Sequence, residues 1–227
     1  MHLVLLALFL AAIVFGPGLW VQHVMRRYSE PNDRYPGTGA QLARHLLTRH
    51  GLQSVRVERT DAGDHYDPKE KAVRLTPANF DGRSLTAITV AAHEVGHALQ
   101  DNQGFPPLRW RTRLVAATRN AERLGAALLM ASPFLGLLTR TPSVGILMFV
   151  GGLLSLGSST LVHLVTLPTE LDASFVRALP MLRRGDYLKR ADRPHARRIL
   201  MAAALTYVGA SLMSLLNVAR WWAILRR

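Results

Sequence analysis

Charge is distributed very unevenly along the chain, and this feature limits the possible folds more than any other. Asp, Glu, Lys and Arg are all missing from four runs, at residues 1–25, 124–139, 143–167 and 199–219. A helix that crosses a bilayer needs roughly 20 mostly apolar residues, with about 17 to 25 the usual range. Three of the runs reach that length, and 124–139 is marginal. The sequence therefore predicts a multi-pass membrane protein.

The order of these runs predicts five segments. They are an N-terminal transmembrane helix (1–25), a soluble domain (26–123), a transmembrane hairpin (124–167), a cytoplasmic segment (168–198) and a C-terminal transmembrane helix (199–222). The first run lacks the basic start of a signal peptide, and its basic pair, Arg26 and Arg27, comes at the other end. We therefore interpret this run as a membrane anchor rather than a cleaved signal.

The basic charge of the chain fits this topology. Lys and Arg number 28 against 15 Asp and Glu, a formal net charge of +13, and they cluster in 26–123 and 177–198. Membrane proteins concentrate Lys and Arg in cytoplasmic segments. We therefore expect a multi-pass protein of the cell (inner or plasma) membrane, with the lipid bilayer as a partner and the soluble domain facing the cytoplasm. Nucleic acid is not an expected partner, because the basic residues are not interleaved with aromatic ones.

The soluble segment contains both helix and strand patterns. TGAQLARHLLTRHG, which begins at Thr38, predicts an amphipathic helix, whereas SVRVERT and the end of HYDPKEKAVRL predict short strands. Ser84 is a suitable N-cap for LTAITVAAHEVGHALQ, which then runs without proline as far as Pro106. This stretch is predicted to be a helix that follows a small sheet.

The predicted helix contains HEVGH, which has the spacing of a zinc motif. Residues four apart lie on the same helical face, so His93 and His97 present both imidazoles to one ion. Glu94 is rotated by about 100° around the axis, where it is placed to act as general base on a metal-bound water. The chain has no cysteine, so the ligands have to be His and carboxylate. We predict one Zn²⁺ in a mainly α-helical multi-pass membrane protein with a zincin-like α+β soluble domain, in which the motif helix accompanies a small β-sheet.

A catalytic zinc ion needs three protein ligands, so the motif requires a third one from elsewhere. The predicted hairpin 124–167 returns the chain to the side of the motif helix, and TLPTELDAS follows directly. Glu170 is the first acidic residue after Glu122 and is the preferred third ligand. His163, seven residues before Glu170, and His65, in DHYDP, are the alternatives.

Several segments together resemble a known family. HYDP, VRL, AAHEVGHALQD, TLPTELDAS and AAALTYVGA occur in this order over nearly the whole chain, and the combination resembles the YugP-type family of bacterial membrane-bound neutral zinc metallopeptidases. The resemblance implies a peptidase in which His93, His97 and a downstream glutamate bind zinc and Glu94 is the catalytic base. Glu170 lies where the family has its glutamate.

A broader similarity is to membrane peptidases that carry their third ligand in an E-x-x-A-D pattern. In that group the final Asp supports a ligand histidine. Here Ser174 replaces it, in the sequence ELDAS that begins at Glu170. Either Ser174, through a weaker hydrogen bond, or Asp172, through another geometry, is a candidate for the supporting role.

The predicted reaction is metal-assisted hydrolysis of a peptide bond in a membrane-associated or unfolded polypeptide. Zinc lowers the pKa of its water toward about 7, and Glu94 takes the proton and passes it to the leaving amine. Tyr66 and His65, and Tyr207 in the last span, are candidates for stabilising the oxyanion. The alternatives are a catalytically inactive membrane scaffold and a metal-binding or metal-sensing membrane protein; a metal carrier would not need Glu94.

Overall fold

The computed structural model describes residues 2–206 of the chain. The described residues divide into two compact units. One contains the residues up to Gly18 together with Trp110–Thr166, and the other contains Leu19–Arg109 together with Leu167–Thr206. The second unit holds both the β-sheet and the HEVGH helix, so every contact of the candidate site described below lies within this unit.

Helices dominate the described residues. Their bounds are α1 His2–Arg27, α2 Gly39–Arg49, α3 Pro77–Phe80, α4 Leu85–Asn102, α5 Pro106–Thr139, α6 Pro142–Leu171 and α7 Leu179–Arg184. A π-helix, Asp172–Ala178, joins α6 to α7, and a 3₁₀ turn, Arg190–Asp192, leads into α8, residues 193–206. The predicted amphipathic helix corresponds to α2, which begins with a capping box between Thr38 and Gln41.

The sheet has three short strands, β1 Arg56–Arg59, β2 His65–Asp67 and β3 Ala72–Leu75. Their order is β1-β3-β2, with β1 parallel and β2 antiparallel to the central β3. Val73 and Leu75 of β3 are fully buried and belong to the core that also contains α4. β1 and β3 therefore lie where the sequence predicts short strands, whereas β2 was not predicted, and the sheet supports one side of the motif helix.

Helix α4 is the central element of its unit. Ser84 caps its N-terminus, and the Ser84 hydroxyl accepts a hydrogen bond of 3.1 Å from the backbone N–H of Ala87. Every residue of α4 from Leu85 to Gln100 is buried. A helix that is buried on all sides is held by its neighbours over its whole surface, so the polar groups that it carries have defined positions.

The transmembrane part of the sequence prediction is wrong. Across residues 2–206, no helix combines the length and the apolar character needed to cross a membrane. The prediction took each charge-free run as a separate helix, but α5 begins at Pro106, so the run 124–139 is only the second half of a helix whose first half carries five arginines. The predictions of a multi-pass fold and of a membrane localisation with a cytoplasm-facing active site are therefore wrong. The predicted span 199–222 lies largely outside the described residues.

A buried carboxylate connects the 3₁₀ turn before α8 to the segment after α1. Asp192 is fully buried, and it accepts hydrogen bonds from Nε of Arg34 at 2.7 Å and from the hydroxyl of Tyr35 at 2.6 Å. The Arg34 hydrogen bond, aided by that of Tyr35, holds the pKa of Asp192 below its usual range, whereas burial raises the pKa of Tyr35. Nearby, the Tyr28 hydroxyl lies 2.9 Å from Nδ1 of His195.

Candidate metal centre

Helix α4 places the two motif histidines side by side. His93 and His97 lie one turn apart on the same face, with their ring centroids 4.8 Å apart. Both residues are only 4% exposed. Burial of two imidazoles costs free energy unless their nitrogens have partners, so the partners of each ring show what the site is built to hold.

The third member of the cluster comes from the end of α6. Glu170 is 1% exposed, and its Oε2 lies 3.3 Å from Nε2 of His93 and 3.3 Å from Nε2 of His97. One ligand atom from each of the three residues lies within 4.8 Å of the others. Ligands held at about 2.0 to 2.1 Å from one zinc ion at tetrahedral angles are separated by roughly 3.3 Å. The spacing of Glu170 from each histidine therefore matches that of zinc ligands.

The ring of His97 is oriented by Gln100. Nδ1 of His97 lies 2.9 Å from Oε1 of Gln100, while Nε2 of Gln100 donates to the carbonyl oxygen of Thr169 at 2.8 Å and to Asp172 Oδ1 at 2.7 Å. Since the amide nitrogen is committed to these two acceptors, the amide oxygen faces the ring and Nδ1 carries the proton. The Nε2 lone pair of His97 therefore faces Glu170.

The ring of His93 is oriented in the same way by Ser174. Oγ of Ser174 lies 3.1 Å from Nδ1 of His93, and the same hydroxyl donates its proton to the carbonyl oxygen of Leu200 at 3.1 Å. With its proton used there, Oγ accepts from Nδ1–H of His93. Ser174, the residue that replaces Asp in the E-x-x-A-D pattern, thus contacts a histidine of the cluster directly, whereas Asp172 reaches the other histidine only through Gln100.

The chemistry of this donor set fits a cation. In the neutral tautomers that Gln100 and Ser174 select, the two Nε2 atoms are acceptors, and the carboxylate oxygen that lies between them is also an acceptor. In that form the three acceptor atoms repel one another unless a positive charge lies among them, and a metal ion bound by all three would supply that charge. Imidazole nitrogen and carboxylate oxygen are the ligand types of catalytic zinc sites, so the residues present fit zinc.

The approach of the third ligand depends on a glycine. A Cβ atom added to Gly96 would lie 2.7 Å from the backbone oxygen of Ala173, a distance that forces one of the two segments to move. The π-helix that contains Ala173 is closed by a wide hydrogen bond from the N–H of Leu179 to the carbonyl of Ser174. Single π-turns inside helices are rare and are frequently found at functional sites.

The other sequence candidates have different surroundings. Glu94 lies on α4 beside His93 and is 5% exposed. The Tyr66 hydroxyl donates to Asp101 Oδ2 at 2.7 Å, and burial, followed by this bond, raises the pKa of Tyr66. Nδ1 of His65 lies 2.8 Å from the carbonyl oxygen of Gly63, and among the described residues His65 is not part of the three-ligand cluster. The side chain of His163 and all of Tyr207 lie outside the described residues.

Sequence reasoning missed Gln100 and Arg177. Nε of Arg177 donates to Asp172 Oδ1 at 2.6 Å, and Nη1 donates to Oε1 of Gln103 at 2.6 Å. The signal for Gln100 was present, because a residue three positions after His97 lies on the same helical face. Its partners were not visible in the sequence, because Thr169 and Asp172 lie 69 and 72 residues away.

Two histidines at HExxH spacing, with a glutamate from a distant helix, form the donor set of a zinc metallopeptidase. The profile of the family described as "Putative neutral zinc metallopeptidase" matches residues 3–226, and the chain belongs to this family. The chain is also similar to the "Putative membrane protease YugP" of Bacillus subtilis (strain 168), at 34% identity over 223 residues, which cover 96% of this chain and 95% of that protein. These matches confirm the family resemblance. No solved structure gives a significant match.

Proposed function

We propose that the protein is a zinc-dependent peptidase that hydrolyses peptide bonds, with one zinc ion held by His93, His97 and Glu170. The observation that carries this proposal is the convergence of two imidazole Nε2 atoms on one carboxylate oxygen, each at 3.3 Å, within a buried cluster. The family description supports peptide bonds as the substrate class.

In the proposed mechanism the metal would act as a Lewis acid and Glu94 would transfer protons. When bound, zinc supplies a Lewis acid that polarises the scissile carbonyl and acidifies water. The Glu94 carboxylate takes one proton from the attacking water as the new carbon–oxygen bond forms. It then gives that proton to the leaving nitrogen as the carbon–nitrogen bond breaks, so the carboxylate is regenerated.

The remaining residues of the site hold the reacting groups in place. Gln100 and Ser174 fix the two rings with their Nδ1 protons pointing away from the metal position. Because His93, His97 and Glu170 supply three protein ligands, Glu94 is assigned the role of base rather than that of a ligand. This division of roles predicts that zinc binding and catalysis can be separated by mutation.

The test is Glu94→Gln, with Glu70→Gln as the matched control. Glu70 is a surface residue near β3 that pairs with Arg56. We expect Glu94→Gln to retain one zinc per chain by elemental analysis and to lose at least about 100-fold in the cleavage rate of an unfolded protein, the lower range for a general base. Glu70→Gln should match the wild type in both measurements.

Metal removal provides the second half of this test. Chelation should abolish cleavage by the wild type, and one equivalent of Zn²⁺ should restore it. A metal carrier or sensor would bind zinc without cleaving, and an inactive scaffold would do neither. Cleavage by Glu94→Gln at the wild-type rate would contradict the proposed mechanism.

A further inference from the structure

Gln100 is a fully buried polar side chain that lies outside the zinc motif. Its two amide atoms have three partners. Oε1 contacts Nδ1 of His97 at 2.9 Å, and Nε2 donates to the Thr169 carbonyl at 2.8 Å and to Asp172 Oδ1 at 2.7 Å. A buried amide with all of these contacts is fixed in orientation, because turning it over would place its oxygen against two other acceptors.

The fixed orientation of Gln100 decides the tautomer of His97. An amide oxygen can only accept, so Nδ1 has to donate, and in the neutral ring the lone pair is then on Nε2, the atom that faces Glu170. Met or Leu at position 100 would leave the choice of tautomer to the remaining surroundings of the ring. The acceptor at this position therefore prepares the ring for metal binding before any metal arrives.

The amide nitrogen of Gln100 contacts the segment that carries Glu170. Thr169 immediately precedes Glu170, so the hydrogen bond from Gln100 Nε2 to the Thr169 carbonyl joins α4 to the segment that carries the third ligand. Asp172, on the far side of Glu170, is held to the same amide and is itself neutralised by Arg177 at 2.6 Å. One side chain thus contacts the residues that flank Glu170 on both sides as well as one histidine.

We propose that Gln100 is a positioning residue that sets both the tautomer of His97 and the distance between that ring and Glu170. This inference rests on the proposed function, since it treats the cluster as a zinc site. Its mode of action is separate from catalysis, because Gln100 acts only through His97 and through the backbone next to Glu170.

Two variants of Gln100 separate its two contacts. Gln100→Met has nearly the same size but neither acceptor nor donor, whereas Gln100→Glu keeps an acceptor for His97 and loses the donor to Thr169. The measurements are the nitrogen-15 chemical shifts of the His97 ring in the metal-free chain at one fixed pH, and zinc affinity by competition with a chelator. Gln53→Met is the matched control, because the Gln53 amide is exposed and far from the cluster in sequence.

We expect Gln100→Met to lose the pure Nδ1–H tautomer and to bind zinc about 10- to 100-fold more weakly, the usual cost of removing a partner of a ligand histidine. Gln100→Glu should keep that tautomer but still bind zinc more weakly than the wild type, because the tie to Thr169 is lost. Gln53→Met should match the wild type in both measurements.

The inference is overturned if Gln100→Met keeps the wild-type tautomer and affinity, which is what a purely space-filling role predicts. It is also overturned if Gln100→Glu loses the tautomer to the same extent as Gln100→Met. A wild-type chain that binds no zinc would refute the proposed function instead, while the ring shifts of the metal-free variants would still decide the role of Gln100.

Discussion

Glu170 and Asp192 are both buried carboxylates that join distant parts of the same unit, but their partners are of different kinds. Asp192 meets hydrogen-bond donors, the guanidinium of Arg34 and the hydroxyl of Tyr35. Oε2 of Glu170 lies against the Nε2 atoms of two histidines, whose Nδ1 atoms are turned toward Gln100 and Ser174.

This difference shows how to tell a structural carboxylate from a ligand in a chain without bound metal. Burial alone does not distinguish them, since Glu170 is 1% exposed and Asp192 is fully buried. The distinction lies in the donor and acceptor roles of the neighbouring atoms. A carboxylate surrounded by hydrogen-bond donors is held by the protein, whereas a carboxylate oxygen that lies against two imidazole Nε2 atoms has the surroundings of a metal ligand.

The largest expected effect is on zinc binding by Glu170→Gln. An amide cannot replace the carboxylate as an anionic ligand, so we expect zinc affinity to fall by more than about 100-fold, beyond the usual range for residues that only support a ligand. The free energy of unfolding of the metal-free protein should change less than zinc affinity does, because the amide has nearly the same size and shape as the carboxyl group. Chelator competition and urea unfolding measure the two effects, and full zinc retention by Glu170→Gln would remove Glu170 from the ligand set.

Asp192→Asn should show the reverse pattern. The amide weakens the pairing with Arg34 and places a donor among donors, and we expect the free energy of unfolding to fall by about 2 kcal/mol. Zinc affinity should stay within about twofold of the wild type, since none of the metal ligands is touched. A large loss of zinc from the folded variant would mean that the two carboxylates do not serve separate purposes.

Ser174→Ala tests the weaker of the two histidine supports. The hydroxyl accepts from His93 at 3.1 Å, a longer contact than the one between His97 and Gln100. We expect a loss of zinc affinity of about 10-fold, the lower end of the range for such partners. Ser174→Asp, which introduces the final Asp of the E-x-x-A-D pattern, is the informative companion, and we expect it to bind zinc at least as tightly as the wild type.

The smallest effect is a dependence of stability on pH that comes from Asp192. The folded-state pKa of Asp192 lies below its unfolded value of about 3.9, so its contribution is fully present above that value and is lost as the pH falls toward the folded pKa. The difference in unfolding free energy between wild type and Asp192→Asn should therefore stay constant above about pH 5 and narrow as the pH falls below about 4. A difference that stays constant with pH would contradict the lowered pKa.

The sequence predicts those parts of the site that depend on local pattern. Ser84 marks the start of α4, and the spacing of His93 and His97 implies a shared face, as the structure has it. The order of the charged residues and the family resemblance both point to Glu170 as the third ligand. In the structure its Oε2 lies 3.3 Å from Nε2 of each of the two histidines.

The parts that could not be predicted depend on distant contacts. The role of Gln100 rests on a carbonyl 69 residues away, and the π-helix Asp172–Ala178 has no pattern that separates it from an ordinary helix. The transmembrane prediction failed for a related reason. A charge-free run shows where charge is absent, but it does not show where a helix begins, as the start of α5 at Pro106 illustrates.

The distance along the chain between the two halves of the metal cluster has a consequence for the timing of protein synthesis. Ser174 follows His93 by 81 residues, so the ribosome completes the HEVGH helix long before Glu170 is made. A nascent chain that ends before Leu167, and so before Glu170, contains His93, His97 and Glu94 but lacks the third proposed ligand. Peptidase activity in our proposal therefore cannot begin until translation has passed the π-helix, and the unfinished polypeptide is not yet a protease.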